Sequence, residues 1–185
     1  MNKAVTSKEA ILDQSKQIAA REGLRALNIR QLARASGISV GTVYNYFPSK
    51  DDLVIATIEA VWLEIMRDSR HHFSPDDFLE NIQTLFDSIY QGCQIYPDFL
   101  SLHQAGVGEG GRAKGRQLMD KYFDHIRKGL LDSLKADGQV RKEAFSERMT
   151  RAAFVDWVFS NIVMAVMSKE DNCQLLLEIV KRSVY

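Results

Sequence analysis

The 185-residue sequence is short of helix breakers and of covalent staples: it holds three prolines and two cysteines. With so few prolines, and with no sustained alternation of apolar and polar residues, helix is favoured over sheet. Cys93 and Cys173 stand far apart and neither has a CxxC partner. That excludes a disulfide framework and suits a reduced compartment, the cytoplasm. Long hydrophobic runs are missing as well. The most apolar stretch, Ala152 to Met167, is interrupted by Asp156, Ser160 and Asn161. It is too short and too polar to span a bilayer, so a buried helix is expected and a membrane is not. No charged and then apolar leader opens the chain. Neither sign of charge is in excess, since 24 Lys and Arg balance 24 Asp and Glu.

The composition that remains is ordinary for a globular chain, 45% hydrophobic and 26% charged. The length suits one domain or two small ones. The charge is unevenly placed. Residues 1–50 carry eight Lys or Arg against three acids (Glu9, Asp13, Glu22), a net +5, which leaves −5 for the rest. A basic head on an acidic body implies that the head meets a polyanion.

Along the head, Ser7 is a cap for a first helix ending at Gly23, with Ala10, Ile11, Ser15, Ile18 and Ala19 on one face. Asn28 caps a short helix over 29–35, and Ser39 caps another over 40–47. Between them lies a tight break in which Gly37 supplies a positive φ. Two short helices joined in this way read as a helix-turn-helix. Leu32, Ala33, Ile38 and Val43 fill the wedge. The outer face of the second helix shows Thr42, Tyr44, Asn45 and Tyr46, with no acid. Ser49 caps a long helix over 51–69, with Asp52 three residues on. The free N–H groups there, beside Lys50, suit either capping alone or a DNA phosphate. Further helices are expected near 75–95, 98–106, 114–136, 143–168 and 170–184.

The run IRQLARASGISVGTVYNYFPSKDDL, Ile29 to Leu53, resembles the DNA-binding head of the tetracycline-repressor (TetR) family of bacterial transcription regulators. The resemblance covers roughly the first fifty-five residues. It implies an all-α fold of about nine helices, in which 1–52 form a three-helix helix-turn-helix domain and 53–185 a helical domain for ligand binding and dimerisation. It also implies a homodimer whose heads enter successive major grooves of a double-stranded, palindromic operator. The DNA-binding residues it implies are Arg30, Ser39, Val40, Gly41, Thr42, Tyr44, Asn45, Tyr46 and Lys50. Arg30 suits a guanine edge. Val40 departs from relatives with a polar residue there and offers only apolar contact.

In the body, apolar residues surround nearly the whole of the helix over 143–168, so it must be covered on all sides. With the last helix it resembles the family's dimer interface. The interface residues expected are Phe154, Trp157, Phe159, Ile162, Val163, Val166, Leu176, Ile179 and Val180. The resemblance also implies a small-molecule effector that tilts the helix over 51–69. Polar or aromatic residues on otherwise apolar helices are the ligand candidates: Tyr90, Gln94, Phe99, His103, Tyr122, Phe123, Asp156 and Asn161.

Three other signals are not followed. The glycine-rich stretch 106–115 lacks the Gly-Lys-Ser/Thr ending of a phosphate cradle and is expected as a flexible connection. His71 and His72 are adjacent and would diverge on a helix. No spacing argues for a catalytic triad, a metal site or a cofactor, so an enzyme is not expected. The expected function is that of a ligand-released repressor. The alternative is an architectural or cell-cycle DNA-binding protein with a protein partner and no effector.

Overall fold

A computed structural model of the chain describes residues 7–70, 73–96, 100 and 109–185. The described residues form eight α-helices and no strand: α1 (Lys8–Glu22), α2 (Ile29–Ala35), α3 (Val40–Tyr46), α4 (Lys50–Arg70), α5 (Phe78–Ile95), α6 (Glu109–Ala136), α7 (Arg151–Met167) and α8 (Gln174–Val184). Short 3-10 turns occupy Leu24–Ala26 and Lys142–Ala144.

Local chemistry sets the helix ends. Side-chain oxygens of Ser7, Asn28, Ser39 and Thr150 accept from the backbone N–H groups of Ala10, Gln31, Thr42 and Ala153, at 3.1, 2.8, 3.0 and 3.1 Å. Each such cap stabilises by roughly 1 kcal/mol, because it satisfies a donor that the helix leaves unpaired. Gly23, at φ 80, closes α1.

The chain's contacts divide it into two compact units, Met1–Glu64 with Gly92–Met119, and Ile65–Gln91 with Asp120–Tyr185. In the first unit Ile11, Ile18, Leu27, Leu32, Val43, Phe47 and Leu53 are buried together with Val61 and Trp62. The α4 residues through Glu64 belong here because α1 holds them by polar contacts as well as by packing. The hydroxyls of Ser15 and Thr57 lie 2.9 Å apart in the core, and Lys16 Nζ lies 2.7 Å from a Glu64 oxygen. Trp62 Nε1 donates to Met119 Sδ at 2.9 Å.

In the second unit Phe78, Ile82, Phe86 and Ile89 of α5 are buried, as are Leu130 and Leu134 of α6, Val155, Val158 and Ile162 of α7, and Val180 and Val184 of α8. Three polar residues of this unit, Asn81, Ser133 and Asp137, are buried with partners, as the cost of burying an unpaired polar group requires. Asn81 donates to Ser74 O and to Ser133 Oγ, both at 2.6 Å. Asp137 accepts from the N–H groups of Phe78 (3.1 Å) and Gln139 (2.9 Å) and from the Tyr185 hydroxyl.

Several helix limits differ from the sequence expectation. Residues 109–115, expected in a connection, form the first turns of α6. The stripe Met119, Ile126, Leu130 and Leu134 is buried, and burial outweighs the roughly 1 kcal/mol that each interior glycine costs a helix. The helix expected from 143 begins instead at Arg151, because Thr150 caps it. Phe145 stays outside α7, with its ring 6.0 Å from that of Phe154 and the Arg151 guanidinium 4.5 Å above it. The helix expected at 98–106 lies outside the described residues except for Leu100, as do His71 and His72.

Candidate nucleic-acid interface

The turn between α2 and α3 is closed by two hydrogen bonds, from Gly37 N–H to Arg34 O at 3.2 Å and from Ile38 N–H to Ala33 O at 3.0 Å. That closure needs a left-handed residue, and Gly37 adopts φ 65 without a side-chain penalty. Ile38 is half-buried, and α3 starts at Val40 under its Ser39 cap.

Seven residues of α3 give it two faces. Val43, with Phe47 at its carboxyl end, is buried in the first unit's core. Val40, Tyr44 and Tyr46 are 38%, 48% and 37% exposed, which is unusual for large apolar side chains presented by one short helix. Gly41 and Asn45 are also exposed, and Thr42 is half-buried. Ser39 Oγ and Thr42 Oγ1 are 2.9 Å apart. Their mutual bond uses one hydroxyl proton and leaves the other for an outside acceptor.

Gly41 has no packing reason to be glycine. A Cβ built there meets only Ser39 Oγ, at an ordinary 3.7 Å. In a helix interior glycine costs roughly 0.5–1 kcal/mol relative to alanine, so the residue is unexplained by the fold.

Arg30 on α2 and Lys50 at the start of α4 are both exposed. Beside Lys50, Ser49 and Asp52 form a reciprocal cap. Asp52 N–H donates to Ser49 Oγ at 3.0 Å, and the Ser49 hydroxyl donates back to the carboxylate at 2.7 Å. The Ser49 hydroxyl, and then the Lys114 ammonium at 3.1 Å, hold the Asp52 carboxyl below its ordinary range. The acids of the head are similarly occupied. Asp13 pairs with Lys16 at 3.2 Å, and Glu22 accepts from Gln31 Nε2 at 2.8 Å. The Glu9 carboxyl is held low by its own backbone N–H and then by the Ser7 hydroxyl. The head's positive charge is therefore opposed by carboxylates that already have partners.

The body candidates are less convergent. Phe123 and Asp156 meet at Arg127, which the sequence reading had not singled out. Its guanidinium lies 5.9 Å from the Phe123 ring and 4.9 Å from the Phe159 ring, with Nε 3.4 Å from Asp156. Tyr90 is half-buried and stacks on Phe86 at 5.8 Å. Asn161 donates to the Trp157 carbonyl within α7, at 2.8 Å. Gln94 is exposed and Tyr122 half-buried, while Phe99 and His103 lie outside the described residues.

Of the residues expected in a dimer interface, Phe154, Phe159, Ile162, Val166, Leu176 and Val180 are buried within the chain. Val163 is half-buried. Trp157 and Ile179 are exposed, and Met164, Met167 and Leu175 join them as exposed large hydrophobics. Circumferential hydrophobicity did not separate the two faces of α7; the packing of the chain does.

Burial pushes the thiols of Cys93 and Cys173 up to about 11, so both are protonated at neutral pH. Among the described residues no group of three or more His, Cys, Asp or Glu is placed to hold a metal, and no helix is long and apolar enough to cross a membrane.

Residues 11–57 match the family model described as bacterial regulatory proteins, tetR family. The chain is 25% identical over 134 residues to the HTH-type transcriptional regulator BetI of Rhizobium meliloti, spanning 70% of this chain and 64% of that one. It is 32% identical over 91 residues to the HTH-type transcriptional repressor KstR of Rhodococcus jostii, spanning 49% and 42%. The matches thus cover less than two thirds of either relative. In fold, the chain resembles a transcriptional regulator from Rhodococcus sp. Rha1, with a TM-score of 0.68 at 18% identity over 97% of this chain and 98% of that one. It also resembles the fatty acid degradation regulator FadR from Bacillus halodurans, with a TM-score of 0.61 at 17% identity over 95% and 96%. The capped helix-turn-helix and the family match agree on a tetR-family DNA-binding head over residues 11–57, and beyond it the chain shares the all-helical fold of these neighbours.

Proposed function

We propose that the chain is a homodimeric repressor that binds a palindromic operator through α3 and is released by a small-molecule effector. The observation that carries the DNA reading is the outer face of α3. It presents Val40, Tyr44 and Tyr46 to solvent on a helix held by Val43 and Phe47. Tyr44 and Thr42 suit bases or phosphate, Tyr46 and Lys50 suit phosphate, and Arg30 suits a guanine edge through its paired donors. Val40 offers apolar contact, for instance to a thymine methyl. Gly41 suits close approach of backbone to DNA.

The strip Trp157, Met164, Met167, Leu175 and Ile179 supports a two-fold partner, since an apolar strip on two adjacent helices is covered most simply by its own copy. Successive half-sites lie about 34–36 Å apart, so an effector that changes the separation of the two α3 helices by a few ångströms releases DNA. A coupling of roughly 1–3 kcal/mol suffices. Tyr90, Tyr122 and Phe123, half-buried aromatic residues of the second unit, are candidates for contact with such an effector.

The test is selection of bound sequences from random duplex DNA, repeated with candidate ligands present. Recovery of an inverted repeat supports the reading, and no enrichment sinks it. Arg30→Ala and Tyr44→Ala are expected to lower affinity and relax sequence preference. Lys50→Ala is expected to weaken binding to all sequences and to reduce the salt slope by about one.

A further inference from the structure

We propose that Lys8, at the amino end of α1, is a further phosphate-contacting residue of the DNA face; this rests on the DNA-binding reading above. Lys8 Nζ stands 5.7 Å from the centroid of the Phe47 ring. Phe47 is the buried carboxyl-terminal cap of α3. The contact brings the first residue of α1 to the end of the helix that presents Tyr44 and Tyr46. Next along the chain come exposed Tyr46 on one side of Phe47 and exposed Lys50 three residues beyond it. Lys8 thus stands at the carboxyl end of α3, the end from which the chain runs on to exposed Lys50.

The position is a poor one for lysine on local grounds. Lys8 opens a fifteen-residue helix, whose amino end carries partial positive charge and repels a cation. The adjacent Glu9 carboxyl is held by its own backbone N–H and the Ser7 hydroxyl. A residue that breaks a local rule is expected at a functional site. Two features favour the charge at the far end of the side chain. The Phe47 ring attracts the ammonium, and α3 has no basic residue of its own in its last turn. Lys8 is exposed, so its ammonium can meet a phosphate oxygen on the side away from the ring. Such a contact positions the head and carries no sequence information.

A purely structural role, covering Phe47 and complementing the α3 terminus, makes a different prediction. The experiment measures binding of the duplex recovered by selection, over a series of salt concentrations, for wild type, Lys8→Gln and Lys8→Arg, with a melting temperature for each. Lys8→Gln is expected to weaken binding several-fold at low salt, alike for recovered and scrambled duplexes. Its logarithmic salt slope is expected to be shallower by about 0.9, one phosphate contact, while Lys8→Arg retains the wild-type slope. An unchanged slope in Lys8→Gln overturns the proposal, whether or not its melting temperature falls; a fall would assign Lys8 to stability alone. If wild type binds no duplex, the DNA-binding reading fails and this proposal with it. If wild type binds and only the Lys8 effect is missing, this proposal alone fails.

Discussion

Lys16 on α1 and Glu64 on α4 meet at 2.7 Å, and Tyr96 donates its hydroxyl to the other Glu64 oxygen at 3.1 Å. The three side chains tie the first helix of the head to the middle of the long helix and to the residue following α5. Burial lowers the Lys16 pKa, but the Glu64 hydrogen bond and then Asp13 outweigh it, and the net shift is upward. Glu64→Gln is expected to cost about 1–2 kcal/mol, since both side chains are mostly shielded from solvent screening. By linkage, the Lys16 part of that stability is fully present below the unfolded lysine value and is lost as pH rises through the folded one. Denaturant titration of wild type and mutant at neutral pH and above the ordinary lysine range checks both the size and the convergence.

Gly41 separates stability from binding. Because a Cβ there finds room inside the protein, Gly41→Ala is expected to stabilise the fold by about 0.5–1 kcal/mol. The same methyl group would stand between α3 and a duplex, so operator affinity is expected to fall. A rise in melting temperature together with weaker DNA binding supports a close approach. Unchanged affinity would remove Gly41 from the interface.

The outward strip on α7 and α8 predicts the oligomeric state. Met164 is 64% exposed and Ile179 40%. Met164→Glu with Ile179→Glu is expected to leave the helical spectrum intact and to yield a monomer by light scattering. A dimer of wild-type stability would place the partner elsewhere. Charging Phe159 or Val180, both buried, is expected instead to unfold the chain.

Asp137 predicts a dependence on acid. Burial raises its carboxyl, but the Tyr185 hydroxyl and then the N–H groups of Gln139 and Phe78 outweigh this, and the net shift is downward. The stability so gained is present above the ordinary aspartate value and is lost as pH falls through the folded one. Asp137→Asn is expected to cost about 2 kcal/mol at neutral pH, as expected for lost hydrogen bonds to a charge. The difference from wild type should shrink on acidification. A gap that stays constant with pH would mean that the amide penalty is steric.

The head was the legible part of this chain. Ser7, Asn28, Ser39 and Ser49 signal helix starts, and Gly37 signals the turn, because each acts on backbone groups within a few residues of itself. The identity of α3 and its polar outer face followed from the same short-range chemistry. The body is legible only as helices, and several of their limits differ from the expectation. α6 begins within a glycine-rich stretch that reads as a loop, and α7 begins at Arg151 behind its Thr150 cap, eight residues after the expected start at 143.

What the sequence by itself determined is the local grammar: where helices start, where the chain turns left-handed, and which short helix carries aromatics outward. The tertiary structure alone decided the long-range pairs. It brought Lys16 to Glu64, Lys114 to Asp52, Lys8 to Phe47 and Arg127 to Asp156. It also divided the apolar circumference of α7 into Phe159 and Ile162 inside and Trp157 and Met164 outside. The physical reason is the range of the interactions. Capping and backbone strain are settled between neighbours in the chain, whereas burial and ion pairing depend on which distant residues the packed helices bring alongside.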